Sequence, residues 1–271
     1  MEEEMLTGGN STTVVRVDDT VRRTVGPWTT AVHQLLVRLR AEGVTEVPES
    51  RGVDEDGREV LSYIVGVVPG YPLSEWVWAD TVLVAAAQLM RRIHDASTAL
   101  VGEDLVWQLP THHPVEVICH NDFAPYNLVF RNGQLRGVID FDTASPGPRI
   151  WDLAYLAYRL VPLTDDAHDG GPPTPDRAGR LQLLIDSYEM PYEPAELLAA
   201  VAARLEWRHG WKSSRRSPTH EPPRPAGTTS PSTPRCTAAI VTGCWPPVDT
   251  HLGDAPPAAV VTDRFPTMKT V

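Results

Sequence analysis

Three oxygen-bearing side chains lie close together near the middle of this sequence: Asp122, Asn127 and Asp140. A mostly apolar run, 115–119, predicts a short buried strand that ends just before the polar loop holding the first two. Two further strand-like runs flank Asn132-Gly133, a pair typical of a two-residue hairpin turn. Because a hairpin returns the chain to its starting point, we expect the three side chains to converge at one edge of a small sheet.

These side chains are suited to magnesium and phosphate chemistry. Magnesium takes a few hard oxygen ligands from a protein and the remainder from phosphates and water. Asn127 and Asp140 offer an amide oxygen and a carboxylate, which leaves Asp122 to accept the proton of an attacking hydroxyl group. Aromatic loop residues such as Tyr126 are interpreted as packing and turn residues. A solvated turn followed by an ordinary hairpin is the alternative, and the complete ordered set of residues disfavours it.

The order His-x-Asp-x-x-x-x-Asn, followed by an aspartate at a strand end, resembles the catalytic loop and metal-binding aspartate of protein kinases. The full sequence motif resembles that of the aminoglycoside phosphotransferase and choline kinase branch of the superfamily. It reads His-Asn-Asp-Phe-Ala-Pro-Tyr-Asn, followed by Ile-Asp-Phe-Asp. The resemblance covers about residues 6–210. It implies a two-lobed, protein-kinase-like α+β fold with a small β-rich N-terminal lobe and a larger helical C-terminal lobe. It also implies Mg²⁺ as cofactor and ATP or GTP as phosphate donor.

Three segments are predicted along the chain. Residues 1–66 form the small nucleotide-binding lobe, 67–212 the helical catalytic and substrate lobe, and 213–271 a proline-rich tail. Apolar spacing and turn residues predict the order strand, strand, strand, helix, strand, strand in the small lobe. A long helix is predicted over residues 80–99 of the helical lobe. The tail has no periodic apolar pattern, so we expect it to be disordered, and a shifted reading frame is one hypothesis for its composition.

Several residues of the small lobe are expected to hold the nucleotide. Glycines and small polar residues before the second strand can fold their backbone N–H groups over phosphates, although a plain hairpin turn explains them as well. By resemblance, the connection between the lobes meets the nucleotide base through its backbone. The candidates are Gly8, Gly9, Asn10 and Ser11 for the phosphates and Tyr63 and Ile64 for the base.

The small lobe departs from the kinase pattern at its phosphate-binding cation. Kinases place a lysine on the third strand and pair it with a helix glutamate, whereas this lobe contains no lysine. Arg23 takes the matching position, with Arg22 as the competing choice, and His33 falls near the place of the glutamate. We therefore expect an Arg–His arrangement without an orienting carboxylate, unless Glu42 or a metal ion supplies the orientation. A solvated strand edge is the alternative role for the two arginines.

Other polar residues near the motif are open to more than one role. His120 is grouped with Asp122 as catalytic, and we expect it mainly to hold the loop through hydrogen bonds. Asp142 suits the metal, the substrate or the surface. By resemblance, Asp152 braces the catalytic loop from behind, and an aspartate in so apolar a helix needs a hydrogen-bond partner. His94-Asp95 matches the pair of metal-dependent phosphohydrolases, but two-residue motifs are common by chance.

Composition limits the partners of this 271-residue chain, which has a net charge of −11. The charge argues against nucleic-acid binding and is compatible with a cationic small substrate. The need to keep the protein soluble is a sufficient explanation for most of the negative charge. The apolar runs are too short to cross a membrane, and the acidic start is unlike a secretory signal, so we expect no membrane partner and a cytoplasmic location. Three scattered cysteines indicate neither a disulfide framework nor a metal cluster.

Two functions fit these observations. The first is transfer of the γ-phosphate of ATP or GTP to a hydroxyl group of a small molecule, with Arg23 contacting the phosphates. The second is a nucleotide-binding remnant, impaired because its helical lobe is incomplete and its Arg–His arrangement is unusual. No motif names the acceptor or the oligomeric state.

Overall fold

The computed structural model describes residues 3–6, 14–163, 176–215 and 269–270. The first lobe is built from β1 Glu3–Leu6, β2 Val14–Val17, β3 Thr20–Thr24, α1 Thr29–Ala41, β4 Ser50–Val53 and β5 Arg58–Ser62. Its strands form one antiparallel sheet in the order β1-β2-β3-β5-β4. This order of strands and helix is the one that the sequence predicted. Most of the predicted tail lies outside the described residues.

Helix α1 ties the small lobe to the rest of the molecule. Its apolar residues recur at helical spacing, and Val32, Leu35, Leu36 and Leu39 are all buried. The helix stops before Gly43, whose φ of 84° places it in the left-handed region. The buried side chains belong to the same hydrophobic core as those of the following long helix.

Among the described residues, the second lobe contains four α-helices and six short strands. The elements are β6 Val67–Val68, α2 Asp80–Ser97, β7 Val117–Cys119, β8 Leu128–Arg131, β9 Gln134–Val138, β10 Ser145–Gly147, α3 Arg149–Leu160, α4 Arg177–Tyr188, α5 Pro194–Arg215 and β11 Lys269–Thr270. Helix α2 packs on α4, and α3 packs on α5. In the part of the chain that the structure describes, no helix is both long and apolar enough to cross a bilayer.

The predicted hairpin is present as β8 and β9. Asn132 and Gly133 both have positive φ, 55° and 72°, which two-residue turns of this kind require. The hairpin is joined to the small lobe by the segment between β5 and β6. A Cβ atom on Gly66 of that segment would lie 2.5 Å from the Phe130 carbonyl oxygen, so only glycine allows this close approach.

The expectation that the motif sits at the edge of one small sheet is wrong. Strand β7 pairs with β10 in a two-stranded ladder, whereas the hairpin belongs to a separate sheet in the order β11-β6-β8-β9. The motif residues meet instead through loops, because the loop after β7 leads into β8 and the chain after β9 returns beside that loop.

Candidate active site

The loop between β7 and β8 places the predicted base and its amide neighbour in direct contact. Nδ2 of Asn127 donates to Oδ2 of Asp122 at 3.0 Å and to the backbone carbonyl of Asp122 at 2.8 Å. A short 3-10 helix, Pro125–Asn127, turns the loop between them. Both hydrogen bonds use Nδ2, so the amide oxygen of Asn127 is its atom suited to a metal ion.

Asp140 reaches the same place from the end of β9. The N–H of Ile139 donates to the Asn127 carbonyl at 2.9 Å, and Nε2 of His120 donates to the Ile139 carbonyl at 3.1 Å. Asp140 follows with a φ of 67°, a conformation rare for residues other than glycine. Its side chain is 51% exposed and therefore open to a ligand. The structure thus brings the backbone just before Asp140 onto the loop that carries Asp122 and Asn127.

His120 has the contacts of a residue that holds the loop. Its side chain is buried, and its Nδ1 accepts a hydrogen bond from the N–H of Asp122 at 3.2 Å. With Nε2 bonded to a backbone carbonyl, both ring nitrogens are occupied by the backbone. Phe123 and Phe141 pack against the ring. These contacts hold the loop and position Asp122.

Asp152, in the first turn of α3, supports the loop from the opposite side. Its oxygens accept from the N–H of His120 at 2.7 Å and from the N–H of Asn121 at 2.8 Å. Nε2 of His94 lies 3.1 Å from the same carboxylate. Burial alone would raise the pKa of Asp152, but the hydrogen bonds from the His94 side chain and from the backbone N–H of His120 outweigh it and lower the pKa. The carboxylate is therefore a fixed anchor for two backbone groups of the loop.

His94 and Asp95 do not form a phosphohydrolase centre. Nδ1 of His94 lies 2.6 Å from the Tyr188 hydroxyl, so both ring nitrogens are engaged inside the core. Asp95 points outward to two arginines. His94, Cys119 and Asp152 offer ligand atoms within 4.8 Å of one another, but the first and last are already used to hold the loop.

A chain of hydroxyl groups connects Asp122 to α3 and α5. The Tyr126 hydroxyl donates to Oδ1 of Asp122 at 2.6 Å. The Tyr155 hydroxyl lies 2.7 Å from that of Tyr126, and Nη1 of Arg208 donates to Tyr155 at 2.9 Å. Burial, together with Tyr155 and Asp122, raises the pKa of Tyr126, so its hydroxyl stays protonated as a donor. The second carboxylate oxygen of Asp122 is thus fixed by residues far along the chain.

Helix α5 supports the loop at a second point. Arg204, one turn before Arg208, is 2% exposed and donates to the backbone carbonyl of Asn121. Its guanidinium lies 4.8 Å from the ring centroid of Trp151 and 5.2 Å from that of Trp207. Burial lowers the pKa of Arg204. Cation–π contacts with the aromatic rings partly stabilise its charged form.

Arg23 is the cation at the boundary between the lobes. Its side chain, 10% exposed, donates from Nε to Glu59 of β5, from Nη2 to Asp142 at 2.6 Å and from Nη1 to Asp140 at 3.3 Å. Burial opposes its charge, but Asp142, Glu59 and Asp140 outweigh that effect and raise its pKa. Arg23 therefore links the small sheet directly to the chain that follows β9.

The expected Arg–His arrangement without a carboxylate is wrong. Glu59, only 2% exposed, accepts from Arg23 and lies 2.9 Å from Nε2 of His33. It stands directly opposite Arg23 in the pairing of β3 with β5. A strand glutamate thus takes the orienting role that kinases give to a helix glutamate. Glu42 is engaged elsewhere, with Arg38 at 2.7 Å.

The strand-edge alternative for the two arginines is also wrong. Strand β3 lies in the middle of its sheet, between β2 and β5. Successive side chains of a strand point to opposite faces, and Arg22 contacts Asp54 at 3.3 Å, away from the motif. Arg23 is therefore the arginine that faces the site.

The group around Arg23 has an excess of negative charge that a divalent cation would offset. Three carboxylates, of Glu59, Asp140 and Asp142, face one guanidinium. Burial raises the pKa of Asp142, and the negative charges of Asp140 and Glu59 raise it further. The positive charge of Arg23 acts in the opposite direction. Asp140 and the amide oxygen of Asn127 are hard donors of the kind that Mg²⁺ prefers. The residues present fit a magnesium ion.

The predicted nucleotide contacts of the small lobe are placed in part. The N–H of Tyr63 donates to the Asp19 carbonyl at 2.8 Å, and the Arg16 guanidinium lies 4.0 Å from the centroid of its ring. Because Tyr63 is already engaged within the lobe, half-buried Ile64 is the better candidate for contact with a base. The predicted phosphate-covering residues Gly8, Gly9, Asn10 and Ser11 lie outside the described residues.

Sequence reasoning missed Glu59, Tyr126 and Arg208. Finding Glu59 required the register between β3 and β5, which pairs it with Arg23. The available signal for Tyr126 was a hydroxyl-bearing ring next to the motif asparagine. For Arg208 it was the four-residue spacing from Arg204, which places two cations on one face of a helix.

Two sequence comparisons relate this chain to known proteins. Residues 101–180 match the model of the phosphotransferase enzyme family. The chain is also 35% identical, over 199 residues, to the trifolitoxin immunity protein of Rhizobium leguminosarum bv. trifolii. That similarity covers 69% of this chain and 74% of the relative.

Solved structures with the same fold include two complexes of the aminoglycoside phosphotransferase APH(2'')-IIa and one choline kinase. The gentamicin complex is 18% identical, covers 79% of this chain and 87% of its own, and has a TM-score of 0.55. The streptomycin–ATP complex is 18% identical, covers 79% and 89%, and has a TM-score of 0.52. The choline kinase, from Cryptosporidium parvum, is 11% identical, covers 75% and 80%, and has a TM-score of 0.50. The chain therefore belongs to the phosphotransferase enzyme family and has the two-lobed, protein-kinase-like fold of aminoglycoside phosphotransferases and choline kinases.

Proposed function

We propose that the protein transfers the γ-phosphate of ATP or GTP to a hydroxyl group of a small molecule. The observation that carries the proposal is Asp122, held by Tyr126 and Asn127 on a loop whose backbone is bonded to the residue before the exposed Asp140. Family membership supports the reaction type. ATP in the named complex of APH(2'')-IIa supports a nucleotide as donor.

Asp122 serves as the base in this reaction. The acceptor oxygen bonds to the γ-phosphorus while its proton passes to the Asp122 carboxylate. The bond between the γ-phosphorus and the bridging oxygen breaks, and the nucleoside diphosphate leaves with that electron pair. Such a transfer depends mainly on positioning and charge neutralisation. The two hydrogen bonds to Asp122 supply the positioning.

Arg23 contacts the phosphates of the nucleotide. Its contact with Asp140, at 3.3 Å, is the longest of its three, so Nη1 is the donor most readily offered to a phosphate oxygen. Glu59 keeps the guanidinium oriented during that exchange. Asn127 and Asp140 would hold Mg²⁺, which neutralises phosphate charge when bound.

The test is turnover by Asp122→Asn. With Mg-ATP or Mg-GTP and a panel of hydroxyl compounds, we expect kcat to fall by about 10²- to 10⁴-fold, the usual range for loss of a positioned base. Asp56→Asn, at an exposed turn of the small lobe, is the matched control and should keep wild-type turnover. Full activity in Asp122→Asn would remove the proposed base.

A nucleotide-binding protein without turnover is the second candidate. The favouring observation is that Arg23 already has three carboxylate partners, one of which a phosphate must displace. Stabilisation by Mg-ATP or Mg-GTP in a thermal unfolding assay, without phosphate transfer to any acceptor, would select this candidate.

The acceptor panel follows from the comparisons and from the charge of the chain. The relative is by name an immunity protein, so toxic compounds with hydroxyl groups come first. Aminoglycosides, choline and homoserine complete the panel. The net charge of −11 argues against a nucleic-acid partner, and a cytoplasmic location fits a nucleotide donor.

A further inference from the structure

Asp142 lies on a short turn that is bonded to the catalytic loop. The turn is the 3-10 helix Phe141–Thr143, and its Thr143 hydroxyl donates to the carbonyl of His120 at 2.9 Å. In the other direction, Nδ2 of Asn121 donates to the Thr143 carbonyl at 3.0 Å. A side chain that holds Asp142 is therefore connected, through this turn, to the loop that carries the proposed base.

Two side chains of the small lobe contact the Asp142 carboxylate. Nη2 of Arg23, on β3, donates to Oδ1 of Asp142 at 2.6 Å. The indole N–H of Trp28, the residue just before α1, is a further donor to this carboxylate. The Arg23 side chain is 10% exposed and that of Asp142 is 24% exposed, so salt and water screen this pair less than a surface pair. One acidic group of the large lobe thus binds two donors from separate elements of the small lobe.

The position of Trp28 is fixed by the turn before α1. The N–H of Gly26 donates to Oγ1 of Thr29 at 2.9 Å, and the N–H of Thr29 donates to the Gly26 carbonyl at 3.1 Å. A Cβ atom on Gly26 would lie 2.6 Å from the Trp28 ring, so glycine allows the indole to pack over this turn. The ring also packs against the hydrophobic core. Contacts within the small lobe and the core therefore hold Trp28 where it meets Asp142.

Asp142 and Glu59 together orient the guanidinium of Arg23. Nε donates to Glu59 and Nη2 donates to Asp142, so two donors of one planar group are held. The direction of Nη1 then follows from planarity, and Nη1 lies 3.3 Å from Asp140. A lysine ammonium has a single nitrogen and lacks this fixed set of donor directions.

We propose that Asp142 is a positioning residue for nucleotide binding, which holds Arg23 and Trp28 so that Nη1 of Arg23 meets a phosphate oxygen, and that it does not bind the metal ion. The inference rests on the proposed phosphotransferase function and adds a residue to that site. The contrast with Asp140 supports it. The Asp140 side chain is 51% exposed and lies 3.3 Å from Arg23, whereas Asp142 is 24% exposed and lies 2.6 Å from it.

The test is the Kd of ATP and of GTP for the full chain, measured by calorimetry with Mg²⁺ and by ligand-observed NMR in EDTA. In Asp142→Asn we expect the Kd to rise about tenfold in both media, the usual cost of a lost charge-assisted hydrogen bond. Asp140→Asn should weaken binding only with Mg²⁺, because its carboxylate is a proposed metal ligand. Asp56→Asn, at an exposed turn, is the control and should keep the wild-type Kd.

Two further variants show whether Asp142 acts through its partners. Trp28→Phe keeps an aromatic ring and removes the N–H donor, so it should also raise the Kd in both media. In Arg23→Lys the planar set of donors is absent, so adding Asp142→Asn should change the Kd little further. Thermal unfolding of each variant without nucleotide shows whether it is folded.

Weakening in Asp142→Asn that occurs only with Mg²⁺ would make Asp142 a metal ligand and overturn the proposal. An unchanged or lower Kd would overturn it too, since a carboxylate that only repels phosphates would bind them better once neutralised. The same holds for an equal effect of Asp142→Asn in the Arg23→Lys protein, for an unchanged Kd in Trp28→Phe, and for no nucleotide binding by the wild type in EDTA.

Turnover with the acceptor panel is measured separately. Binding that follows the expected pattern without turnover refutes the phosphotransferase function and leaves the role of Asp142 intact. Turnover by the wild type, together with weakening in Asp142→Asn only in Mg²⁺, supports the function and refutes that role.

Discussion

Asp122 accepts two hydrogen bonds, and their donors constrain the carboxylate in different ways. Asn127 belongs to the same loop, whereas Tyr126 is itself held by Tyr155 and Arg208. Both donors fix the direction of the carboxylate, and a transfer that depends on positioning gains from that direction.

Removing the Tyr126 hydroxyl tests this view of the base. We expect Tyr126→Phe to lower kcat about tenfold with little change in nucleotide KM, because a hydrogen bond to a charged group is lost and the ring remains. Steady-state kinetics provide the measurement, with Tyr192→Phe, a ring stacked on Tyr188 away from the motif, as control. Unchanged kcat would mean that Asn127 alone suffices to orient Asp122.

The pairing of Glu59 with Arg23 makes a second prediction at this scale. In Glu59→Gln the shape is kept but the charge that orients Arg23 and contacts His33 is lost. We expect the Kd for Mg-ATP to rise about tenfold, since charge-assisted hydrogen bonds are the stronger ones. Calorimetry gives the Kd, and Glu49→Gln, at an exposed carboxylate, serves as control. An unaltered Kd would assign the orientation of Arg23 to Asp142 instead.

At the scale of elements, α3 and α5 hold the catalytic loop from behind. Asp152 of α3 accepts two of the loop's N–H groups, and Arg204 of α5 donates to one of its carbonyls. Both side chains are almost fully buried, and burying either charge without its hydrogen-bond partner would destabilise the fold. The conformation of the loop, including the positive φ of 65° at Asn121, therefore depends on helices that are remote in sequence.

Asp152→Asn tests the support from α3. Because the pKa of Asp152 is lowered by folding, its charge stabilises the protein above its ordinary pKa of 3.8, and that stabilisation is lost as the pH falls through the folded-state value. At neutral pH we expect a loss of about 3 kcal/mol in the free energy of unfolding, as for other broken buried pairs. Urea unfolding at several pH values measures it.

The difference between wild type and Asp152→Asn should stay constant from neutral pH down to mildly acidic pH and then shrink below the ordinary pKa of 3.8. Asp186→Asn, on the outer face of α4, is the control and should change stability little. A difference that is the same at every pH would show that shape, and not charge, makes Asp152 important.

At the scale of the whole molecule, the site lies where the two lobes meet. The lobes are joined covalently by the segment between β5 and β6 and electrostatically by Arg23, which reaches from β3 to Asp140 and Asp142. Helix α1 adds a hydrophobic contact through the common core. A ligand bound at this junction contacts both lobes and should therefore stabilise the whole fold.

Stabilisation by Mg²⁺ and nucleotide together tests the site at this scale. At a concentration about 100 times Kd, Mg-ATP should add about 2.7 kcal/mol to the free energy of unfolding. EDTA should remove most of this gain, and Asp140→Asn should reduce it, because Asp140 is a proposed metal ligand. Thermal unfolding is the measurement, with Asp56→Asn as control. A gain that survives EDTA would show that the nucleotide binds without the metal.

Local features of this protein were accessible from the order of its residues. The Asn132-Gly133 turn, the apolar stripe of α1 and the spacing of Asp122, Asn127 and Asp140 each depend on residues close together in the chain. Short-range sterics and periodicity govern such features, so a pattern of residue types is enough to predict them.

Other parts of the site required the folded chain. Glu59 meets Arg23 through a strand register, Tyr126 meets Arg208 through Tyr155, and one arginine of α3 covers rings from three segments. Each contact joins positions that are far apart in the sequence, where packing and register decide the partner among many equally polar candidates. For that reason the family followed from the motif, whereas the carboxylate that pairs with Arg23 became visible only in three dimensions.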